Sequence, residues 1–319
     1  MIPQDFLLVK ILKIVLSLIP EIPLEKGVGR PYVYKPVIVV CCFIVMVAKK
    51  LSVRALHAFL ISNEAQAVAV KRTVPFPDGK IPSRRTFDRR LKDGILALQA
   101  YMLAGAMLLV HKFHVGIGRL ALDNRMFEAF GALWHRKDQL AGTIPKGVRN
   151  VDKTAGWGIS HYRGWVFGHA LEVFVTTGKY VIPILASAHS LVKKGNTVVR
   201  PIVHFLPKVK KGAVSADSEY EDSVLGVLLK QTGRNLHAAS KRRPKLTPKT
   251  KTYQRRKVTV EPFFERFLLA FVTGKLDRKG PQAWPVLITC CLLYQLMVIH
   301  NFMERAPNPL IVTHLIRML

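Results

Sequence analysis

The sequence predicts a mixed α/β domain preceded by an all-helical region, and three observations carry that prediction. Apolar residues recur at helical spacing through residues 1 to about 115. Short runs of β-branched and aromatic residues begin near residue 118. Helical patterns then alternate with these runs and close the chain. Half of the 319 residues are apolar and the mean hydropathy is +0.20, enough to build a packed core. Lys and Arg number 49 against 20 Asp and Glu, a formal net charge of +29. That excludes an ordinary acidic cytosolic enzyme and predicts a polyanionic partner, either nucleic acid or an anionic membrane face.

In the N-terminal region, Phe6, Leu7, Ile11, Ile14, Val15 and Leu18 lie on one helix face. Pro20, Pro23 and Pro31 then interrupt the chain. Val37 to Ala48 reads as helix or strand by periodicity alone, and its continuation into Lys49, Lys50 and Ala55 to Phe59 favours helices. Ser52 caps the second of these, with Val53, Leu56 and Phe59 on one face. Pro82-Ser83 precedes a further helix, Thr86 to Val110, whose start is strongly basic.

Beyond residue 118, Arg119 to Asp123 predicts a short strand that ends in a carboxylate. Trp165 to Val175 predicts a second strand, closed by a tight turn at Thr177-Gly178, and Val181 to Ala188 a third. Lys193 to Leu206 reads as helix, Ala213 to Asp217 as a fourth strand ending in a carboxylate, and Asp222 to Lys230 as helix. Lys241 to Lys257 holds nine basic residues and no acidic one, with Pro244 and Pro248 in its first half. It is expected to be a phosphate-binding arm, extended or mobile when free, with a solvated linker or a basic tail for any polyanion as the alternative. Val260 to Phe271 and Trp284 to Met303 predict two apolar-faced helices, with Glu261 at the start of the first.

The four cysteines form adjacent pairs, Cys41-Cys42 and Cys290-Cys291, without metal-ligand spacing and within apolar runs. They read as buried small hydrophobes of a reducing compartment. Phe6 to Leu18, Val37 to Ala48 and Val286 to Ile299 are apolar but fall short of the roughly 20 residues of a membrane span. No membrane partner is expected, and the location expected is the cytoplasm, on the nucleoid.

Carboxylates are scarce, so their positions are informative. Asp123 and Asp217 each follow an apolar strand-like run, and Glu261 lies on a helix with an apolar face. Carboxylates held together need a cation between them, and oxygen ligands suit Mg²⁺ or Mn²⁺. The ordinary alternatives are turn, cap and helix-start residues. Glu265, one turn beyond Glu261, is the rival third ligand. His135, Arg136 and Lys137 read either as phosphate contacts or as a solvated loop. Trp134, Trp157 and Trp165 read either as base-stacking surfaces or as core residues. His169, inside a strand, reads as a packed core histidine.

Flanking motifs connect these residues. Leu122-Asp123-Asn124, Trp134-His135-Arg136-Lys137-Asp138, Ile144-Pro145-Lys146-Gly147, Trp157-Gly158-Ile159-Ser160 and Gly164-Trp165-Val166-Phe167-Gly168-His169 occur in fixed order. They are followed by Ser215-Ala216-Asp217-Ser218-Glu219-Tyr220-Glu221-Asp222 and Arg256-Lys257-Val258-Thr259-Val260-Glu261-Pro262-Phe263-Phe264-Glu265-Arg266-Phe267. The string resembles the catalytic domain of DDE transposases of bacterial insertion sequences, the cut-and-paste group that includes insertion sequences four and five. Ile81-Pro82-Ser83-Arg84-Arg85-Thr86-Phe87-Asp88-Arg89-Arg90-Leu91 also resembles the helical region that precedes these domains, and the resemblance covers roughly residues 35 to 305.

The resemblance implies a ribonuclease H-like mixed sheet with flanking helices after an all-helical N-terminal domain. The domains expected are 1–115 for DNA-end binding, 116–305 for catalysis and 306–319 as a tail. The triad implied is Asp123, Asp217 and Glu261, serving both as catalytic residues and as ligands of two Mg²⁺ ions, with Mn²⁺ as the alternative metal. Its partners are double-stranded DNA, as terminal inverted repeats and as target, and a second copy forming a homodimer on DNA. DNA contacts are expected from Arg84, Arg85, Arg89 and Arg90 in the N-terminal helices. Further contacts are expected from His135, Arg136, Lys137, Arg242, Arg243, Arg256 and Lys257. The family's catalytic helix often carries a Tyr, an Arg and a Lys around its Glu. Here Tyr253 is present, Lys257 takes the place of the Arg, and Leu268 stands where the Lys is expected. A nuclease that cuts without joining, and a catalytically decayed DNA-binding descendant, are the alternative functions.

Overall fold

The computed structural model describes residues 6–18, 20, 33–160, 163–238, 251–271 and 274–319, with backbone alone at residues 92 and 251–258. Twelve α-helices are assigned among these residues. They are α1 (Leu7–Ser17), α2 (Pro36–Ala48), α3 (Val53–Ile61), α4 (Ala65–Thr73), α5 (Arg84–Asp93), α6 (Ile95–Phe113), α7 (Arg136–Leu140), α8 (Gly195–Val203), α9 (Ser223–Gln231), α10 (Lys251–Phe271), α11 (Gly280–Met303) and α12 (Thr313–Met318). The strands are β1 (Arg119–Glu128), β2 (Gly156–Ser160), β3 (Gly164–Thr176), β4 (Pro183–Ser190), β5 (Gly212–Ala216) and β6 (Arg234–Ala238). The chain divides into two compact units. One comprises Met1–Val115, Ile182–Ile184 and Ile288–Leu319, and the other Gly116–Val181 and Leu185–Leu287.

The first unit is built from helices. Pro36 opens α2, where a missing N–H costs nothing, and Ile38 to Val47 are buried all round. Ser52 caps α3 as its sequence predicts, accepting from Ala55 N–H at 3.1 Å, and Ser83 caps α5 through Thr86 N–H at 3.2 Å. The single helix expected over Thr86 to Val110 is two helices that meet at Gly94. A Cβ at Gly94 would lie 2.9 Å from the Phe43 ring, so the junction depends on a residue without a side chain. α4 was not expected, because its short Ala-rich sequence carries little periodicity. All four cysteines are buried free thiols, and burial pushes Cys41 up to about 12.

Two helices, α6 and α11, are long and apolar enough to cross a bilayer by length and composition, and α2 with α3 adds a third if that pair, bent by 105°, is taken as one span. Within α11, 83% of the apolar window is buried in the fold, as in a core helix. Gln295, a polar residue of α11, is buried and donates to the Pro183 carbonyl at 2.8 Å. α6 escapes a search for unbroken apolar runs because Gln99 and Gly105 interrupt it.

The second unit is a mixed α/β layer structure. The sheet order is β2-β3-β1-β5-β6, with β4 also paired to β3. β1 and β3 are antiparallel, in register from Leu120↔Thr176 to Glu128↔Gly168. β5 runs parallel to β1, and β6 parallel to β5. β3 is central, and its residues from Val166 to Thr176 are buried on both faces, which explains its near-continuous apolar sequence. The two strands absent from the expectation have weak sequence signals. β2 contains two glycines and pairs only through five residues of β3, and β6 reads Arg-Asn-Leu-His-Ala without alternation.

Arg234 opens β6 at 1% exposure. It donates to the carbonyls of Pro207 (2.9 Å) and Ile117 (3.0 Å) and to the Thr232 hydroxyl (3.0 Å). Burial lowers its pKa to about 10. This guanidinium ties the loop before β1, the loop before β5 and the turn before β6. Arg234→Met should therefore lower stability by about 3 kcal/mol, as three buried oxygens lose donors. The check is a lower urea midpoint with an unchanged slope.

Candidate active site

The site begins with the parallel pairing of β1 and β5. Their register is Arg119↔Ala213, Leu120↔Val214, Ala121↔Ser215 and Leu122↔Ala216, and there β5 stops. Asp123 and Asp217 are the next residue on each chain, so two carboxylates leave neighbouring strands side by side, where strand spacing is about 4.8 Å. β1 itself continues to Glu128, held by β3, so the expectation that Asp123 ends its own strand is corrected. It stands where β5 lets go of β1. Both carboxylates are oriented in the same way: Asp123 Oδ1 accepts from Asn124 N–H at 3.0 Å, and Asp217 Oδ1 from Ser218 N–H at 2.6 Å.

Side chains alternate across the sheet, so Asp123 and Arg125 share one face while Asn124 and Glu172 share the other. On the Asn124 face, the turn after Asp217 is fastened to three elements. Asn124 Nδ2 donates to Glu219 Oε2 at 3.0 Å, and Gly195 N–H at the start of α8 donates to Glu219 Oε1 at 3.0 Å. The Tyr220 hydroxyl donates to Glu172 Oε2. Glu172 is fully buried, and its other oxygen meets His189 Nε2 at 2.8 Å. Burial and then the charges of Glu172, Asp123 and Glu219 raise the Tyr220 phenol well above its ordinary pKa, so it remains a donor. Asp222 caps α9 through Leu225 N–H at 2.8 Å and is held by Arg200 and Asn196. Burial of Asp222 would raise its pKa, but these partners outweigh it and lower it.

α10 packs along β1 and β5. It begins at Lys251, nine residues before the expected start at Val260, so Glu261 is mid-helix and not a helix-start residue. Pro262 lies within the helix, where it removes one donor without ending it. The chain after α10 pairs in parallel with the end of β1: Glu128 N–H donates to the Gly274 carbonyl, and Leu276 N–H to the Glu128 carbonyl. Glu265 acts electrostatically on Arg125, whose pKa is lowered by burial and by Arg163 and raised by Glu265. Glu261, four residues before Glu265 and so on the same side of the helix, is exposed. Among the described residues, no three His, Cys, Asp or Glu side chains converge closely enough to hold a metal ion. The carboxylate pair alone suits a hard divalent cation, because Mg²⁺ is commonly held by one or two carboxylates together with waters and substrate phosphates.

The basic residues separate into groups. Arg84, Arg85 and Arg89 are exposed on α5, with Arg84 3.8 Å from Asp88. Arg90 is 8% exposed and donates to the Tyr34 carbonyl at 3.1 Å. It belongs to the interior of the helical unit, which corrects its assignment as a DNA contact. His135, Arg136 and Lys137 are exposed, and the Arg136 guanidinium lies 4.7 Å over the Trp165 ring. Trp165 is 54% exposed, whereas Trp134 and Trp157 pack in a small cluster with Ala129, Val151, Ala155 and Phe167. Trp134 donates to the Thr143 carbonyl, and Trp157 to that of Trp134. Arg242 and Arg243 lie outside the described residues. Arg256 and Lys257 belong to α10, and their side chains lie outside the described residues too.

His169 is a fully buried core residue, as its sequence predicts. Trp284 Nε1 donates to its Nδ1 at 3.0 Å, so Nε2 carries the proton and donates to Asp152 Oδ2 at 2.9 Å. Asp152 also accepts from Gly280 N–H and from the N–H and hydroxyl of Thr154.

Sequence reading missed Asn124, Glu172, Glu219 and Tyr220 as a connected group. A signal did exist: Glu172 is a carboxylate inside an apolar strand, and such a residue needs partners. No protein-family model, no curated protein and no solved structure matches the chain.

Proposed function

We propose that the protein is a DNA transposase with a ribonuclease H-like catalytic unit that cleaves and joins DNA strands. The observation that carries this reading is the register of Asp123 and Asp217, one residue past the last β1–β5 pair. A meander of antiparallel strands continued by two strands parallel to the first, with carboxylates where the parallel pair ends, supports a ribonuclease H-like core. Asp123 and Asp217 would hold one Mg²⁺, and Glu261 would complete a site for a second. When bound, such ions neutralise charge on the phosphodiester and make an attacking hydroxyl more acidic.

The chain's own residues do the rest. The N–H groups of Asn124 and Ser218 fix the rotation of the two carboxylates. The net charge of +29 draws in the DNA backbone. Arg84, Arg85 and Arg89 offer a cationic face on α5 for recognition of the element's ends, and His135, Arg136 and Lys137 offer another beside the catalytic sheet.

The test is incubation of the purified protein with DNA carrying the element's terminal repeats, with Mg²⁺ or with chelator. Mg²⁺-dependent cutting followed by joining to target DNA is expected. Cutting without joining would make the protein a nuclease, and binding without cutting a decayed descendant. Neutralising Arg84, Arg85 and Arg89 together should also flatten the slope of log affinity against log salt by up to about 2.7, at about 0.9 for each phosphate contact. Arg90→Gln should instead lower stability and leave the slope unchanged. A triple variant with the parent slope would remove α5 from the DNA interface.

A further inference from the structure

We propose that Arg119, Lys179, Lys208, Lys210, Lys211 and Lys230 form a second surface for the phosphate backbone of double-stranded DNA, at the end of the sheet opposite Asp123 and Asp217. The proposal rests on the reading above that the protein binds DNA, and it adds a surface separate from the aspartates and from the basic residues already assigned.

Strand ends bring these cations to one place. The parallel strands β1, β5 and β6 begin at Arg119, Gly212 and Arg234, and antiparallel β3 ends at Thr176. Arg119 pairs with Ala213, Leu120 with Thr176, and Gly212 with Arg234, so the four ends lie side by side. The segments running into them are fastened to one another. Thr177 N–H donates to the Arg119 carbonyl at 3.1 Å, and Val209 N–H to the Thr232 carbonyl at 3.1 Å. From beneath, the buried Arg234 guanidinium donates to the Pro207 carbonyl at 2.9 Å and to the Ile117 carbonyl at 3.0 Å. Arg119, Lys179, the run Lys208 to Lys211 and Lys230 are thus carried by connected backbone, and the six side chains named are all exposed. Lys179 lies 5.2 Å over the Tyr180 ring.

Charge at this end of the sheet has one sign. Segments 116–119, 177–181, 204–212 and 229–234 contain no Asp or Glu. Among the described residues, none of the six cations makes an ion pair. The carboxylates stand towards the other end. Asp123 is four residues along β1 from Arg119, about 13 Å, and Asp222 caps the start of α9, whose last turn holds Lys230. Six like charges without counter-ions repel one another, and a bound polyanion relieves that repulsion. None of the exposed large hydrophobic side chains belongs to these segments. A surface that docks on a membrane sets apolar side chains beside its cations, so a nucleic-acid backbone is the partner that fits. Neighbouring strands lie about 4.8 Å apart, so β1, β5 and β6 span about 10 Å, a length over which a duplex presents about six phosphates.

The test uses the full chain and a duplex of arbitrary sequence, in chelator. Lysines of the parent are acetylated with and without the duplex, and the rate at each is read by mass spectrometry. Lys179, Lys208, Lys210, Lys211 and Lys230 should react several-fold more slowly when the duplex is bound, and high salt should abolish the protection. Lys208→Gln/Lys210→Gln/Lys211→Gln should flatten the slope of log affinity against log salt by up to about 2.7, at about 0.9 for each phosphate contact, with thermal melting unchanged. Arginine at the same three positions keeps the charge and should keep the parent slope. Lysines that react equally fast with and without bound duplex would overturn the proposal, as would a glutamine variant with the parent slope. Protection by vesicles of equal phosphatidylcholine and phosphatidylserine, with none by the duplex, would assign the surface to a membrane and overturn it too. If the glutamine variant fails to fold, acetylation of the parent decides alone. A parent that binds no duplex would remove the DNA reading and this surface together. A parent that binds, with these lysines unprotected, would remove the surface alone.

Discussion

Asp123→Ala and Asp217→Ala should each lower the rate of DNA strand cleavage by at least about a thousandfold while leaving DNA affinity within about twofold of the parent. A metal-held transition state draws several kcal/mol from charge stabilisation, and each 1.4 kcal/mol is a factor of ten. On the proposed reading DNA affinity comes from cationic residues that contact phosphate, and both substitutions leave these in place. The measurement is single-turnover cleavage of labelled end DNA beside a filter-binding isotherm. The same assay decides between the two glutamates of α10. On the proposed reading Glu261 completes the site, so Glu261→Ala should match the aspartate variants. Glu265→Ala should retain most of the rate. The reverse ranking would assign the third position to Glu265.

The second large effect is on stability. Asp152→Ala should cost about 3–5 kcal/mol, because it leaves the buried His169 Nε2–H, the Gly280 N–H and the Thr154 donors without an acceptor. For a unit of this size that corresponds to a fall in Tm of about 6–20 °C. The pH dependence has a definite sign. Burial alone would raise the Asp152 pKa, but the hydrogen bonds from His169, Thr154 and Gly280 overcome it and lower it from 3.8 to about 2. A depressed carboxylate stabilises the fold above its unfolded pKa and loses that contribution as pH falls. The parent should therefore lose about 2.5 kcal/mol between roughly pH 4.5 and pH 1.5, at about 1.4 kcal/mol per pKa unit. Asp152→Asn should be less stable at neutral pH and lack that part of the acid transition. Parallel acid titrations followed by circular dichroism would show it. Superimposable curves would mean that Asp152 is not the group that titrates.

The elements that sequence patterning revealed are those whose burial is strong and periodic. β3, α9 and α11 each present an apolar face or run long enough to fix their type. Capping chemistry placed Ser52 correctly, because a side-chain oxygen before a helix has a local purpose. β2 and β6 were hidden because their stability comes from backbone pairing to a neighbour and not from their own side chains. The break at Gly94 was hidden because it answers to Phe43, some fifty residues away. In the candidate site, Asp123 and Asp217 were legible as carboxylates after apolar runs. Their adjacency was not, since it follows from strand register. The bridge through Glu219 was invisible for the same reason: its partners, Asn124 and Gly195, are distant in sequence and meet only across the sheet.

The parallel pairing of β1 with β5 has a consequence for the life of the chain. Antiparallel neighbours such as β1 and β3 can form as soon as the intervening loop has been made. A parallel neighbour needs a crossover, and here the two aspartates are separated by roughly ninety residues of intervening chain. A nascent polypeptide that has emerged as far as β4 holds one of the two carboxylates and nothing opposite it. The nuclease chemistry proposed for this site would therefore be absent throughout the first two thirds of synthesis. It would switch on only when β5 docks, after the basic helices of the N-terminal unit have left the ribosome and become free to meet DNA.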